Sequence, residues 1–246
     1  MGKPLSDASI LEAAALFQAA QYPAILTGAG ISAESGIPTF RGEEGLWKSY
    51  RAEELATPEA FRRDPTLVWE WYNWRREIVL SKKPNAGHYA INDLQSISAS
   101  MPVITQNVDG LHRKSGNQNI YEMHGNIFRA RCTSCRAKID QQSTDDLDPR
   151  CQRCGSLMRP DIVWFGETLD PVVISGIMRH LERCDLLLVV GTSGVVYPAA
   201  GFSSVVDDHG GKIIEINVEP VTPFALQLAG KSGEVLPAFV AALGAL

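Results

Sequence analysis

The 246-residue sequence has no apolar run approaching the roughly 18 residues that a membrane span requires; the stretch Leu186–Val190 is only strand-sized. The opening segment, MGKPLSDASI, lacks an apolar h-region, which predicts no secretory signal. Basic residues are in deficit: 23 Lys and Arg against 28 Asp and Glu give a net charge of −5. Without a basic excess there is no sequence-independent grip on phosphates, so nucleic acid is not an expected partner, although a local basic patch or a cationic protein substrate stays compatible with that balance. Cysteine is scarce too. Four of the five cysteines form two C-x-x-C pairs, which suits a metal site in a reducing cytoplasm better than a disulfide framework. Internal repeats and low-complexity tracts are absent, which removes solenoids and disordered linkers from consideration.

What remains is an ordinary globular composition, 45% hydrophobic and 21% charged, long enough for one α/β domain with a small insertion. Asp7 is read as the cap of a helix over Ser9–Ala20. Pro23–Thr27 reads as a buried strand running into Gly28-Ala-Gly30 and a helix start. Thr57-Pro58 and Asp64-Pro65 each place a good N-cap before a proline at the first helical position. The second of these helices carries Trp69, Trp71, Tyr72, Trp74 and Arg75, and Asn85 caps a further helix through Leu94. Strands are expected at Pro102–Gln106, Asp185–Val190 and Lys212–Asn217, with a short one at Asn119–Tyr121. A helix is expected at Ala199–Asp207 and a last one from about Leu236. Strands alternating with helices imply a Rossmann-type, doubly wound parallel sheet. Residues 1–41, 88–124 and 161–246 are assigned to it, 42–87 to a helical insertion, and 125–160 to a cysteine-bearing module.

Cys132-x-x-Cys135 and Cys151-x-x-Cys154 stand 15 residues apart, a zinc-ribbon spacing that sets four thiolates around one structural Zn²⁺ with no open position. Redox disulfides are the alternative. Arg131, Arg136, Lys138, Arg150 and Arg153 lie nearby to offset the thiolate charge, and Cys184 is read as a small buried residue.

Gly28-Ala-Gly30-Ile-Ser-Ala33 fits the G-x-G-x-x-G/A signature in its required strand–turn–helix setting, although a tight strand-to-helix turn needs no ligand. A dehydrogenase would place an acidic ribose ligand about 20 residues on. This chain instead continues through Glu34-Ser-Gly-Ile-Pro-Thr-Phe-Arg41 into helices.

That whole stretch, Gly28 to Arg41, resembles the signature loop of the sirtuins. So do Thr105-Gln-Asn-Val-Asp109, His124-Gly-Asn126, Gly191-Thr-Ser193 and Asn217-Val-Glu219, in the same order over nearly the whole chain. The resemblance implies an NAD-consuming protein-lysine deacylase. Its cofactor site would comprise Gly28, Ala29, Gly30, Glu34, Thr39, Phe40, Arg41 and Trp47 from the loop. Gln106, Asn107, Val108 and Asp109 would surround the nicotinamide. Gly191, Thr192 and Ser193 would hold phosphate or ribose, Asn217, Val218 and Glu219 the adenosine ribose, and Ser232 the adenine end. In the implied reaction the acyl-lysine oxygen attacks ribose C1′ as nicotinamide leaves. A base then deprotonates a ribose hydroxyl, and the products are nicotinamide and O-acyl-ADP-ribose. His124 is that base, with Asn107 and Asp109 orienting ribose and water; a side chain with an unperturbed pKa of about 6.5 suits the task. His88, His112, His180 and His209 are left as structural or surface residues.

Tyr72 and Arg75, three apart on one helix face, make a phenol–guanidinium pair suited to a carboxylate. The Tyr-x-x-Arg pattern resembles the sirtuin subclass that removes succinyl and malonyl groups, and Ala52 and Ala56 match small residues that keep its pocket roomy. A structural salt bridge for Arg75 is the other reading. An acyl-lysine peptide is expected to add as a strand between Val163-Trp-Phe165-Gly166-Glu167 and Gly194-Val195-Val196. A monomer in the cytoplasm is expected. The competing functions are a protein mono-ADP-ribosyltransferase and a zinc-ribbon nucleic-acid binder.

Overall fold

A computed structural model describes residues 6–38, 47, 48, 50–141, 143–223 and 225–245. The chain runs α1 (Asp7–Ala19), β1 (Pro23–Thr27), α2 (Ala29–Ala33), α3 (Ala52–Leu55), α4 (Pro58–Arg63), α5 (Pro65–Leu80), α6 (Ala86–Ile97), β2 (Val103–Thr105), α7 (Leu111–Lys114) and β3 (Ile120–Glu122). It continues through β4 (Gly125–Cys132), β5 (Lys138–Asp140), β6 (Met158–Ile162), α8 (Pro171–Leu181), β7 (Leu186–Val190), a 3-10 turn at Ala199–Gly201, α9 (Phe202–Asp208), β8 (Lys212–Asn217), β9 (Leu226–Ala229) and α10 (Ser232–Leu243).

Six strands form an all-parallel sheet in the order β3-β2-β1-β7-β8-β9. Both faces are covered, which is why its central strands are apolar throughout rather than alternating. Ile25, Leu186, Leu188, Val190, Ile214 and Ile216 point to one side, against α1, α6 and α10. Ala24, Leu26, Leu187, Val189 and Ile213 point to the other, against α8 and α9. Burying each such side chain contributes about 1.5–3 kcal/mol. A second, antiparallel sheet has the order β5-β4-β6. It shares a core with α3–α5: Trp69, Trp71 and Tyr72 meet Ile127, Met158, Ile162 and Trp164. Among the described residues no helix is long and apolar enough to cross a membrane.

The proline-marked helix starts are realised, with Thr57 accepting from Ala60 N–H and Asp64 from Leu67 N–H. Three helix starts differ from expectation. Ser6, not Asp7, caps α1, because its hydroxyl and that of Ser9 close a reciprocal capping box. The helix after β7 opens with the 3-10 turn before α9 begins at Phe202. And α10 starts at Ser232 rather than near Leu236, leaving Pro237 inside the helix. There the Glu34 carboxylate satisfies the Gly233 N–H at 2.8 Å, and Val235, Leu236 and Phe239 bury against the sheet, offsetting the hydrogen bond that proline cannot make.

Candidate functional site

Two loops meet at the C-terminal ends of β1 and β7, where open parallel sheets place their ligands. The Gly30 N–H donates to Gly191 O at 2.8 Å. A Cβ on Gly30 would lie 2.7 Å from the Gly191 backbone, and Gly191 itself has φ +57°. Only glycine allows this approach. Beside the contact opens a crevice of about 370 Å³, lined by Gly30, Glu34, Gly191, Asn217, Val218 and Ser232 among others. Ala29 opens α2 behind it. Thr192 closes the neighbouring wall, its hydroxyl accepting from Gln106 Nε2 at 3.0 Å and its carbonyl from Asn217 Nδ2 at 2.7 Å. Ser193 and Glu219 are exposed. Thr39, Phe40 and Arg41 lie outside the described residues. Trp47 stands apart from the crevice, with its ring 6.2 Å from that of Trp74 and packed on the α3–α5 core.

Below the glycine loop lies a buried polar network. Asp109 accepts from Ser32 Oγ at 2.7 Å and from Leu111 N–H at 2.8 Å. Asn107 Nδ2 donates to Gly28 O at 3.0 Å and to Ser32 Oγ at 3.1 Å, and Val108 O accepts from Ile127 N–H. The Asn107 N–H rests on the Thr105 hydroxyl, which bonds Thr27, which meets His112 Nε2 at 2.9 Å. Ser32, Thr27, Thr105 and His112 were not singled out from sequence. Ser32 and Thr105 carried a signal, their places inside the glycine loop and at the head of the Thr105–Asp109 motif. Burial pushes the His112 pKa down, and that of His88, whose ring stacks 5.0 Å away, to about 3.

His124 follows β3 at the crossing into β4. Its Nδ1 lies 2.9 Å from the Gln106 carbonyl. A carbonyl only accepts, so Nδ1 carries the proton and Nε2 keeps its lone pair. Burial lowers the imidazole pKa, opposed by this hydrogen bond. The backbone oxygen of His124 accepts from Val163 N–H at 3.0 Å. Gly125 turns the chain with φ +84°, its α-carbon face pressed on Asp161 O. Asn126 then donates to Glu122, which Arg129 also binds, each at 2.7 Å.

On α5, Tyr72 is fully buried, and its oxygen accepts from Trp164 Nε1 at 2.9 Å. Burial raises its pKa. The Arg75 guanidinium lies 4.8 Å from the Trp71 ring centre and 5.5 Å from that of Tyr72. Burial lowers its pKa against the favourable fields of Tyr72 and Asp109. Ala56 is buried, and its carbonyl accepts from Phe165 N–H at 3.0 Å. Phe165 and Val195 are exposed, at 58% and 68%; Val163 is half-buried, and Gly166 takes φ +82°. Glu167 is turned back into the protein. Arg159 and Arg131 bind its carboxylate, which also accepts the Trp164 N–H at 2.9 Å.

The four cysteine sulfurs lie within 4.8 Å of one another, with Cys132–Cys154 at 3.5 Å and Cys135–Cys151 at 3.6 Å. Zn–S bonds of about 2.3 Å in a tetrahedron separate sulfurs by about 3.8 Å, so this cluster fits a zinc ion. Of the five basic residues expected to offset the thiolate charge, three are drawn to carboxylates: Arg131 to Glu167, Lys138 to Asp161 and Arg150 to Asp148. The N–H groups of Ser134 and Cys135 point at Cys132 Sγ instead, both at 3.4 Å.

Comparison with known proteins agrees with this geometry. A model described as Sir2 family matches residues 28–198. An NAD-dependent protein deacylase of Pyrococcus furiosus is 54% identical over 224 residues, covering 87% of this chain and 90% of the relative. A crystal structure of a Sir2 homologue–NAD complex superposes with a TM-score of 0.91 at 45% identity, over 100% of this chain and 96% of that one. A mutant Sir2 homologue in complex with 2′-O-acetyl ADP ribose superposes at 0.89 with 46% identity, over 98% and 97%.

Proposed function

This chain belongs to the Sir2 family, and from that premise we propose that it is an NAD-dependent protein-lysine deacylase, with His124 as its base. The observation that carries the reading is the placement of His124 Nδ1 on the Gln106 carbonyl. It leaves a neutral imidazole's Nε2 as the one free lone pair, on the residue that joins the glycine-loop side of the molecule to the Val163–Glu167 loop.

NAD, consumed as a co-substrate, is assigned to the crevice between Gly30, Gly191, Asn217 and Ser232. The glycine contacts allow the backbone close to a pyrophosphate. Asn107 and Asp109, fixed by Ser32 and the Gly28 carbonyl, bind and orient the nicotinamide half. The acyl oxygen of the substrate bonds to ribose C1′ as the nicotinamide bond breaks. His124 then takes the proton of a ribose hydroxyl whose oxygen adds to the acyl carbon. One water enters, and free lysine and O-acyl-ADP-ribose leave. Burial suits this role, because an imidazole below its ordinary pKa is unprotonated at neutral pH. The zinc ion, held by Cys132, Cys135, Cys151 and Cys154, supplies cohesion to the small sheet. For the domain organisation we propose the limits expected from sequence, 1–41, 88–124 and 161–246 for the parallel-sheet part, 42–87 for the helical insertion and 125–160 for the cysteine module, moved only so that α6 (Ala86–Ile97) stays whole in the first and β6 (Met158–Ile162) in the last.

For the acyl group we assign succinyl and malonyl alongside acetyl. A Tyr72 oxygen that already accepts from Trp164 has its own proton to donate, and beside it the buried Arg75 guanidinium gains from an anionic partner. The peptide is assigned to the edge between Phe165 and Val195, both exposed.

The test is incubation with NAD and an acyl-lysine peptide, followed by mass spectrometry. Deacylated peptide with stoichiometric nicotinamide is the expected result. A peptide gaining the mass of ADP-ribose would instead make the protein a transferase, and no turnover would refute both.

A further inference from the structure

Glu215 sits in the middle of β8, paired with Val189 of β7 on one side and Gln227 of β9 on the other. It is fully buried. Positions on both sides of it are occupied by isoleucine, as a strand covered on both faces requires. A carboxylate there is costly unless its lone pairs are satisfied. Among the described residues no ion pair includes Glu215. Its oxygens accept instead from the main chain of the loop that leaves β8: Val221 N–H at 2.8 Å, Thr222 N–H at 2.6 Å, and the side chain of Asn217 at 3.4 Å.

Aliphatic residues would meet the needs of the sheet at this position, so the reason for the carboxylate lies in the loop. That loop begins with Asn217 and Val218, which line the crevice assigned to NAD. It ends at Val221 and Thr222, which line a second cavity of about 150 Å³ with Thr192. Asn217 in turn donates to Thr192 O, Gln106 donates to the Thr192 hydroxyl, and the Gln106 carbonyl receives His124 Nδ1. Glu215 is the buried root of this chain of contacts. We infer that Glu215 is a positioning residue for the adenosine end of NAD, acting through Asn217 and the 218–222 loop and setting affinity for the nucleotide rather than the rate of chemistry. The inference rests on the assignment of NAD to this crevice.

The test is Glu215→Gln, which keeps the shape but turns an NH₂ toward at least one of the two loop N–H groups. ADP-ribose binding is measured by calorimetry, and KM for NAD, KM for acyl peptide and kcat at saturating NAD are measured by steady-state kinetics. The Kd for ADP-ribose and the KM for NAD are expected to rise about tenfold or more, with kcat and peptide KM within about twofold of wild type. The direction is diagnostic. Neutralising a buried negative charge would by charge alone tighten the binding of an anionic ligand, so weaker binding reports loop geometry. A folded variant with a lower melting temperature and an unchanged Kd overturns the inference, as does tighter binding. Where Glu215→Gln does not fold, Glu215→Asp keeps the charge and withdraws the carboxylate by one methylene, and the same split between KM and kcat decides the matter. Wild-type protein that binds no ADP-ribose would defeat the cofactor assignment itself, whereas normal wild-type binding with an unaltered variant defeats only the role of Glu215.

Discussion

Replacing Arg75 with methionine separates acyl recognition from helix packing. The guanidinium lies over the Trp71 and Tyr72 rings at 4.8 and 5.5 Å, and burial already biases it against its charged form. An incoming acyl carboxylate adds an anionic partner where water is excluded, and a charge-assisted hydrogen bond there contributes about 1.5–3 kcal/mol. Losing it costs succinyl- and malonyl-lysine peptides about 10- to 150-fold in KM. Methionine retains most of the stem packing, so the loss of the stacked cation lowers stability by only about 0.5–2 kcal/mol. The carboxylate is remote from the reacting carbonyl and binds alike in ground and transition states, so the loss falls on KM and leaves kcat nearly intact. Steady-state kinetics on succinyl, malonyl and acetyl peptides at saturating NAD, alongside a thermal melt, give all the quantities needed. Tyr72→Phe is a poorer probe, because it strands the buried Trp164 Nε1 that now donates to the phenol and destabilises the loop for every substrate. Equal losses on acetyl and succinyl peptides after Arg75→Met would show that Arg75 holds α5 in place, and the acyl assignment would fall.

Three other outcomes follow from the same geometry. His124→Ala is expected to abolish deacylation with ADP-ribose affinity preserved, and the wild-type kcat/KM profile should have its acid limb below about 6.5, since burial depresses the imidazole; an active, folded variant would remove His124 from its role. Stripping zinc with a chelator should lower the melting temperature and shift tryptophan emission, because Cys132 and Cys151 belong to the core that holds Trp69 and Trp71; an unchanged melt of metal-free protein would contradict a structural ion. Gly125→Ala, with φ +84° and a new methyl forced onto Asp161 O, should destabilise by more than about 4 kcal/mol, and a near-native urea midpoint would show that β4 and β6 separate easily there.

Local chemistry was legible in the sequence, and long-range chemistry was not. The strand at Pro23–Thr27, the starts at Thr57-Pro58, Asp64-Pro65 and Asn85, and the C-x-x-C pairs each declare themselves within a few residues. The same signal stood unread at Asp170-Pro171, which opens α8. The start of α10 was placed too late, at about Leu236, because the group that satisfies an N–H of its first turn is Glu34, about 200 residues away. The three-stranded sheet β5-β4-β6 had no clean alternation to betray it, since Arg129, Arg131 and Arg159 lie within its strands and pair with carboxylates. Within the site, the residue types announced themselves, and the supports did not. Trp164 under Tyr72, Arg159 behind Glu167 and Glu215 beneath Asn217 are separated in sequence by amounts that no periodicity reports, or hidden on strands where a charged residue reads as an interruption.

The supports explain why one histidine serves as the base. Of the four polar groups of His124, the backbone N–H can take no proton, and two of the other three are committed. Its carbonyl is used by Val163, the first residue of the loop assigned to the peptide, and its Nδ1 by Gln106, which also holds Thr192 beside the nucleotide crevice. Only Nε2 is left for chemistry. The two commitments come from opposite sides, and the left-handed turn at Gly125 lets the chain reach both by folding back onto Asp161 immediately after the base. A change in the peptide loop therefore reaches His124 through its backbone, and a change in the Gln106–Thr192–Asn217–Glu215 chain reaches it through its ring. Displacing the ring alters which nitrogen holds the proton, whereas displacing the backbone only moves an intact base. Lesions on the nucleotide side that propagate as far as Gln106 should thus disturb the acid limb of the pH profile, and lesions confined to the Val163–Glu167 loop should leave it where it is.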